Sequence, residues 1–298
     1  MKKSVAAVGV SVAGVLLSGC VDIVANGGGT RYVERVERSF PISGRPDVAV
    51  STFDGPIEVR SWDRPDVLVV VEKMAADKGA AERIEVRSEQ TGNRIVLDVL
   101  RPTGEQSPMS WLGNRGARLI VTMPEAGDLR ARSGDGSIMV DRVVGRIHLE
   151  SGDGSLRARD LSGDLTVHTG DGAVHLDNVT GKVDASTGDG SIVIGGRLSM
   201  LKARTGDGSV RIQAEEGSGR AGDWDIVTSD GTITLQVADD FGAELDARTG
   251  DGRVRVSGVD LDDRHSSRER RELRTRIGDG GRQVRVRTGD GSIIVRPL

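Results

Sequence analysis

The sequence is poor in cysteine and in aromatic residues. Its 298 residues include one Cys, three Trp, one Tyr and three Phe, whereas Gly occurs 42 times. A single thiol excludes an intramolecular disulfide, so the fold has to be stable without one. Few aromatic side chains provide little bulk for the core of an ordinary domain of this length. Together with abundant glycine, this composition predicts many tight turns around a thin core, as in repeat proteins.

An excess of positive charge is also missing. The formal net charge is −4, and it becomes −6 when residues 1–19, which carry Lys2 and Lys3, are removed. A mildly acidic surface gives no electrostatic reason to bind the phosphates of DNA or RNA. We therefore expect no nucleic acid among the partners of this protein.

The N-terminus has the pattern of an export signal. Lys2 and Lys3 precede an uncharged stretch from Ser4 to Leu17, which is shorter than the about 20 residues that span a bilayer. The next residues, Leu17-Ser18-Gly19-Cys20, resemble the lipobox of bacterial lipoprotein precursors. Small residues at 18 and 19 would let a peptidase cut before Cys20, whose thiol would accept diacylglycerol. We expect residues 1–19 to be removed as a signal peptide; the alternative is ordinary cleavage without a lipid.

A lipid on Cys20 would define where the protein is found. Two or three acyl chains, palmitate among them, hold a protein in a membrane far more firmly than one chain does. The expected location is the extracytoplasmic cell envelope, and Val21 after Cys20 favours the outer membrane because some inner-membrane lipoproteins have Asp there. Residues 20–44, with three glycines at 27–29, are predicted to be the lipidated Cys and a flexible tether.

The second half of the sequence contains an internal repeat. A Gly-Asp-Gly motif preceded by Ser or Thr recurs every 18 residues, with its acidic residue at Asp135, Asp153, Asp171, Asp189 and Asp207. It continues at wider spacing with Asp230, Asp251 and Asp290. A period near 20 residues without helical periodicity predicts an all-β protein built as a β-solenoid (β-helix).

Apolar and polar residues alternate within each repeat, which predicts strands with one buried face. We expect coils of roughly 18 residues, each with two short strands and two turns. Equivalent apolar residues of successive coils would then stack, as would the Ser/Thr hydroxyls, which should face inward and bond the turn backbone. The expected apolar row is Ile138, Leu156, Val174, Ile192 and Val210. An antiparallel meander is the alternative, because Asp-Gly also favours hairpins.

The segments around the regular repeats differ from them. Residues 45–125 contain five predicted strands and are interpreted as an irregular N-terminal β segment that caps the solenoid. Residues 126–298 form the repeat region, which a charged insertion interrupts at about 260–281. This insertion is predicted to be a solvated loop, and loops that leave a solenoid are places where partners bind. Its candidate contact residues are Arg268, Arg270 and Arg271.

Several segments together resemble a known family. They are Asp54-Gly55-Pro56-Ile57-Glu58-Val59, the run from Asp66 to Lys73, Leu119-Ile120-Val121-Thr122-Met123-Pro124, and the Thr-Gly-Asp-Gly-Ser units. Over residues 45–298 the chain resembles the DUF4097 family of β-strand-repeat proteins, whose members are labelled as adhesins. The resemblance implies a β-helical, extracytoplasmic module and provides no catalytic residues to transfer to this chain.

Candidate chemistry begins with the aspartates of the repeat. Asp135, Asp153, Asp171, Asp189 and Asp207 would stack along one edge, where each carboxylate could accept N–H bonds from its own turn or share a row of Ca²⁺ ions. One carboxylate per coil is few for Ca²⁺, which takes six to eight oxygen ligands. These residues are therefore only weak metal-site candidates, and we expect no cofactor.

The other candidate site is an acidic segment around Trp224, which could bind sugar or another partner. Enzymatic β-helices carry clustered carboxylates that break the repeat, whereas the acidic residues here follow it. We therefore predict a non-enzymatic surface for binding, adhesion or scaffolding, with an envelope protein or polysaccharide as the partner. A carbohydrate-active or calcium-binding module is the alternative.

Overall fold

The strands and turns of the protein are given by a computed structural model that describes residues 16–17, 21–26, 29–102, 116–219, 221–261 and 271–298. Within these residues, all 22 strands belong to one continuous sheet that does not close into a barrel, and the one helix has five residues. The expectation of an all-β protein is confirmed. No helix of the described residues has the length and apolar character needed to cross a membrane.

The elements follow one another along the chain in the order given by their residue numbers. The N-terminal elements are β1 (Leu16–Leu17), β2 (Val21–Asn26), β3 (Gly29–Pro41), β4 (Asp47–Thr52), β5 (Ile57–Trp62), β6 (Asp66–Ala75), α1 (Lys78–Glu82), β7 (Glu85–Thr91), β8 (Arg94–Leu100), β9 (Gly116–Pro124) and β10 (Asp128–Ser133). The remaining strands are β11 (Ile138–Ser151), β12 (Leu156–Thr169), β13 (Val174–Ser186), β14 (Ile192–Thr205), β15 (Val210–Ala214), β16 (Trp224–Thr228), β17 (Ile233–Val237), β18 (Ala243–Thr249), β19 (Val254–Val256), β20 (Glu272–Ile277), β21 (Arg282–Thr288) and β22 (Ile293–Pro297).

Successive repeats pair as parallel strands. Ile138 lies opposite Leu156 in the ladder between β11 and β12, and Leu156 lies opposite Val174 in the next ladder. The same row continues through Ile192 to Val210. Parallel pairing of neighbours in sequence requires the chain to coil, which excludes the antiparallel meander. The repeat region is therefore β-solenoid-like.

The coils differ from the expectation of two short strands each. Strands β11 to β14 run for 13 or 14 residues and turn a corner without losing the parallel ladder. At this corner Arg142, Asp160 and Asn178 have positive φ angles of 55°, 55° and 51°. A left-handed residue reverses the bend of the backbone locally, so the residues on both sides can keep pairing with the coils above and below.

The core lies between the two halves of each coil. In β12, Leu156, Ala158, Leu165 and Val167 are buried and alternate with exposed residues, and they belong to one apolar cluster that runs along the solenoid. The core is built mainly from aliphatic side chains of two inward faces. This arrangement explains how a chain with few aromatic residues can bury a continuous core.

A row of buried hydroxyls closes each Gly-Asp-Gly turn. The Oγ1 of Thr187 donates to the carbonyl of Gly172 at 2.9 Å and accepts from the N–H of Gly190 at 3.3 Å. The prediction that these hydroxyls face inward and bond the turn backbone is confirmed. The members of the row are Ser133, Ser151, Thr169, Thr187, Thr205, Thr228, Thr249 and Thr288.

Replacing Thr187 by valine should lower the free energy of unfolding by about 2 kcal/mol, because a buried carbonyl and a buried N–H lose their partner. Thr187→Ser keeps the hydroxyl and is expected to cost about 1 kcal/mol or less, the loss of one methyl group. Denaturant unfolding followed by circular dichroism measures both values. Equal losses in the two variants would show that packing, and not the hydroxyl, stabilises this turn.

The N-terminal end extends both halves of the solenoid. Strands β4 and β5 pair in parallel with β10 and β11, and β8 and β9 pair in parallel with β4 and β5. Beyond them the pairing becomes antiparallel: β7 pairs with β8, and β6 pairs with β9. Strand β7 is a polar edge strand that carries Glu85, Arg87 and Glu89, and charges of this kind hinder edge-to-edge aggregation.

Residues 29–41 correct the prediction of a flexible tether over residues 20–44. They form β3, which pairs antiparallel with β6 over ten residue pairs. Phe40 is buried, and the largely buried Lys73 of β6 forms an ion pair with Glu34 of β3 at 3.4 Å. The charged residues of this segment look like those of a linker, but β6 needs a partner along its outer edge and β3 provides it.

The C-terminal coils do not stack in the order of the sequence. Strands β21 and β22, which are the last in the chain, lie between the coil of β16 and β17 and the coil of β18 and β19. Strand β20 pairs antiparallel with β18 and covers its other edge. The charged insertion was predicted to be a solvated loop. This is wrong for its residues 272–277, which form the edge strand β20.

Candidate functional site

The predicted aspartate ladder lies on an exposed edge of the solenoid. All five aspartates of the regular repeats are exposed, and within the described residues their carboxylates form no hydrogen bond or ion pair. In these turns an N–H of the Gly-Asp-Gly motif donates to the Ser/Thr hydroxyl, as Gly190 does to Thr187. The predicted hydrogen bonds from the turn backbone to the Asp carboxylates are therefore not made. Within the same part of the chain, no three His, Cys, Asp or Glu side chains come together as a metal site would require.

The ladder continues into the N-terminal region through Asp54. Partial burial and the nearby carboxylate of Asp135 raise the pKa of Asp54, while Arg101 and a hydrogen bond from the Gly55 N–H act in the opposite direction. Carboxylates stacked on successive coils therefore repel one another at this end of the edge. The edge is therefore a region of negative potential, since the five repeat aspartates form no ion pair within the described residues.

Trp224 is placed differently from the prediction. Its side chain is fully buried and packs against Phe241, with ring centroids 5.2 Å apart. The reason is its register, because Trp224 lies opposite Leu201 in the parallel ladder and so belongs to an inward row. A ring in the core cannot contact a partner at the surface, so the interpretation of Trp224 as a binding residue is wrong.

The remaining predicted site residues lie at or beyond the limits of the described structure. Ser18, Gly19 and Cys20 fall outside it, and of the lipobox residues only Leu17 is included, as part of β1. Arg268 and Arg270 also fall outside the described residues. Arg271 is exposed and forms an ion pair with Asp251 of the aspartate edge at 3.4 Å. Of the three predicted contact arginines, Arg271 alone lies within the described residues.

A depression of about 530 Å³ lies on the outward face of β5, β11, β12 and β13. Outward residues of four adjacent strands line it, since they alternate with the buried Val59, Val140 and Ala158. We call it the arginine groove, after its most frequent side chain. Its main lining residues are Arg60, Met139, Arg142, Arg157, Arg159 and His175.

Two of the arginines in the groove are neutralised by acidic residues. Arg159 pairs with Asp141 across the β11–β12 ladder at 3.2 Å. Arg60 contacts Glu58 at 3.2 Å, and Glu58 also accepts from Arg118 at 2.6 Å. The hydrogen bond with Asp141 raises the pKa of Arg159, so this guanidinium stays charged. These pairs hold one row of the groove in a fixed, alternating charge pattern.

Arg142 and Arg157 differ from those arginines because they form no ion pair within the described residues. Arg157 donates only to the Ser155 hydroxyl, at 3.4 Å. Met139 lies opposite Arg157 in the β11–β12 ladder and is 48% exposed, an unusual value for a large apolar residue among the described residues. The groove thus presents two uncommitted guanidinium groups beside an exposed thioether.

One other arginine-rich place on the surface, around Asp246, is internally paired. Asp246 of β18 contacts Arg248 at 3.1 Å and Arg287 at 3.3 Å, and Arg274 approaches it at 3.7 Å. Burial tends to raise the pKa of Asp246, but the hydrogen bond and charge of Arg287, helped by Arg248, lower it overall. This cluster ties three neighbouring strands together and leaves fewer free donors than the arginine groove does.

A second charged cluster lies where β10 meets β11. The Asp128 carboxylate accepts from the Nε and Nη2 of Arg146, from the backbone N–H of Arg146 at 3.0 Å, and from Arg45 at 2.7 Å. Burial acts to raise the pKa of Asp128, but these hydrogen bonds outweigh it and lower the pKa to about 2. Asp128 therefore joins the N-terminal segment to the first regular coil.

Acid should weaken this junction over a defined pH range. The pKa of Asp128 is lower in the folded chain than the about 3.9 of an unfolded chain, so its stabilisation is complete above pH 4 and is lost as the pH falls towards 2. Because its arginine partners are exposed, we expect a loss of only about 1 kcal/mol. Asp128→Asn should lose correspondingly less stability between pH 6 and pH 2 in denaturant unfolding. Identical pH profiles for the two proteins would contradict this assignment.

The parallel coils, the sheet that does not close and the antiparallel N-terminal strands define a β-solenoid-like protein. The chain belongs to the DUF4097 family, whose model, Toastrack DUF4097, matches residues 50–296. The resemblance seen in the sequence is thereby confirmed. No curated protein matches the chain.

Solved structures from several bacteria are similar to this chain. A "putative lipid binding protein" from Parabacteroides distasonis is 15% identical, over 90% of this chain and 97% of its own, with a TM-score of 0.50. A "putative cell adhesion protein" from Clostridium sporogenes is 12% identical over 94% and 99%, with a TM-score of 0.28. A "putative adhesin" from Bacteroides fragilis is 10% identical over 89% and 97%, with a TM-score of 0.42. Of these three, only the likeness to the Parabacteroides distasonis protein reaches a TM-score of 0.50, and at 15% identity it supports the fold alone.

Proposed function

We propose that this protein is a lipid-anchored, non-enzymatic binding module of the bacterial cell envelope. The observation that carries the proposal is the continuous outward face of the stacked coils, on which side chains are held in fixed rows by the parallel register. A rigid surface of this kind suits adhesion or scaffolding because it binds without losing much conformational entropy.

The chemistry of the described residues supports binding rather than catalysis. The acidic residues of the repeat are spread along one exposed edge, one in each coil, and two of the three acidic residues of the groove, Glu58 and Asp141, are paired with arginine. A hydrolytic site needs carboxylates that converge on one substrate bond. The proposed partner is a polysaccharide or protein of the envelope, reached by the outward faces of the solenoid.

The motif Leu17-Ser18-Gly19-Cys20 supports the anchored location. In the proposed mature protein, a diacylglycerol on Cys20 holds the N-terminal end of the solenoid at the membrane. Coils from β10 onward then extend away from β3 and β6, which lie near that end of the chain. The outer membrane remains the favoured location, because the residue after Cys20 is Val21 and not Asp.

One experiment separates binding from catalysis. The full chain carrying Cys20→Ser, which removes the lipid contribution, is mixed in low salt with washed envelope fractions from cells that lack the protein. Co-sedimentation gives the bound fraction, and mass spectrometry of the supernatant detects released fragments. Saturable binding without fragments is the expected result. Release of glycan or peptide fragments would identify an enzyme, and the absence of saturable binding to every fraction would exclude the binding role.

A further inference from the structure

The arginine groove has a local excess of positive charge in a protein of net negative charge. Of its carboxylates, Glu58 contacts Arg60 and Arg118, and Asp141 contacts Arg159. The third carboxylate, on Asp177, forms no ion pair within the described residues and acts on Arg159 only through its charge. Arg142 and Arg157 remain without an acidic partner within the described residues. Arginine offers several donors in a planar fork that matches carboxylate and phosphate groups. An anion entering the groove would therefore meet two charges that the chain itself does not use.

The backbone at Arg142 is a second observation that points to a ligand. Arg142 has a φ of 55°, in a region where residues other than glycine, asparagine and aspartate are strained. The next two coils place Asp160 and Asn178 at the equivalent corner, which are residues that tolerate this conformation. Arginine is therefore the least well tolerated of the three residues at this corner, and Arg142 lines the groove. Strain retained at a cleft is a sign of function.

We propose that the arginine groove binds an anionic polysaccharide, with Arg142 and Arg157 holding its carboxylate or phosphate groups. This inference rests on the proposed function and names the ligand class and the site. Four strands about 4.8 Å apart give the groove a length of about 14 Å, which suits an extended chain. The exposed Met139, which lies opposite Arg157 in the β11–β12 ladder, provides a small apolar surface for the ring of a sugar.

A phospholipid fits the groove less well than a polysaccharide does. Met139 is the large apolar side chain exposed there, and the rest of the lining is charged or polar. An acyl chain would need an apolar cavity in which to lose its contact with water. A hydrated, charged chain needs only the open, polar surface that the groove offers.

Three variants of the full chain test the proposal. Arg157→Ala removes one uncommitted guanidinium, and Arg142→Asn removes the other while relieving the backbone strain. Arg211→Ala is the matched control, because Arg211 is exposed on the same face, two coils beyond His175 in the ladder and outside the groove. All three remove one positive charge from the surface.

Binding is measured by isothermal titration calorimetry with oligogalacturonate, poly(glycerol phosphate), a neutral maltooligosaccharide of the same length, and vesicles of phosphatidylglycerol. We expect at least one of the two anionic polymers to bind and the neutral sugar not to bind. Arg157→Ala and Arg142→Asn should each weaken binding about tenfold, the value of one charge-assisted hydrogen bond. Arg142→Asn should also raise the Tm by about 2 °C, which a purely structural role for Arg142 would not produce.

Four outcomes would overturn the proposal. They are failure of both anionic polymers to bind, equal binding of the neutral sugar, preference for the vesicles, and a loss in Arg211→Ala as large as in the groove variants. If the chain still binds envelope fractions while these probes fail, the binding role survives and the assigned ligand does not. If it binds no envelope fraction, the proposed function itself is wrong.

Discussion

Cys20→Ser is expected to move the protein from the membrane pellet to the soluble fraction. Without the thiol no diacylglycerol can be attached, so the proposed anchor is lost. Two or three acyl chains account for stable anchoring, whereas surface charge contributes only weak contact. The measurement is ultracentrifugation after a high-salt wash, which weakens charge-mediated contact. Incorporation of labelled palmitate into the wild-type chain provides a direct chemical readout.

Ser18→Ala serves as the control for this experiment, because it keeps a small residue next to the cleavage site and should leave both processing and sedimentation unchanged. Mass spectrometry of the mature N-terminus distinguishes lipidated Cys20 from an ordinary cleaved end. If the Cys20→Ser protein still sediments with washed membranes, the anchor lies elsewhere and the lipoprotein assignment fails.

Gly196→Ala is expected to lower the free energy of unfolding by about 4 kcal/mol or more, which few single substitutions do. A Cβ at position 196 would lie 2.1 Å from the carbonyl oxygen of Val179 and 2.5 Å from its nitrogen, in the neighbouring coil. The φ of Gly196 is also 142°, which side chains rarely permit. Since the clash is with backbone, relief requires the two coils to separate and to lose ladder hydrogen bonds.

The adjacent Gly195 provides a control of the same chemistry. A Cβ there would lie 3.3 Å from the Oε1 of Gln213, the far end of a flexible side chain that can move away. Gly195→Ala should therefore change the stability by no more than about 0.5 kcal/mol. Denaturant unfolding of both variants gives the comparison. Similar stability of the two proteins would show that coils β13 and β14 do not pack as closely as described.

The regular coils could be predicted from the sequence because each repeat encodes the same local structure. Alternation marks which residues face inward, and the Ser/Thr row at the turn reports its own hydrogen bonding, as at Thr187. The corner at Arg142 was not predicted, since a ladder can continue through a left-handed residue without any break in alternation. A comparison of equivalent positions across the coils could have indicated the corner, because Asp160 and Asn178 are residues that tolerate a positive φ.

The errors have a common physical cause: they concern contacts between segments that are distant in sequence. The acidic neighbours of Trp224 in the sequence indicate a surface residue, although its register opposite Leu201 makes it a core residue. The composition of residues 29–41 indicates a linker, although their pairing with the outer edge of β6 makes them a strand. The arginine groove depends on the alignment of four strands, of which one, β5, lies far from the others in sequence.

The placement of β21 and β22 has a consequence for how this protein is made. Strands β21 and β22 occupy an interior level of the stack, and the coil of β18 and β19, which leaves the ribosome earlier, lies beyond them with β20 on the other edge of β18. Until β21 and β22 have been synthesised, that earlier coil has only β20 as its partner. This end of the solenoid is therefore completed by insertion of later strands between coils made before them, so a chain interrupted before β21 leaves a gap inside the stack rather than a shorter stack.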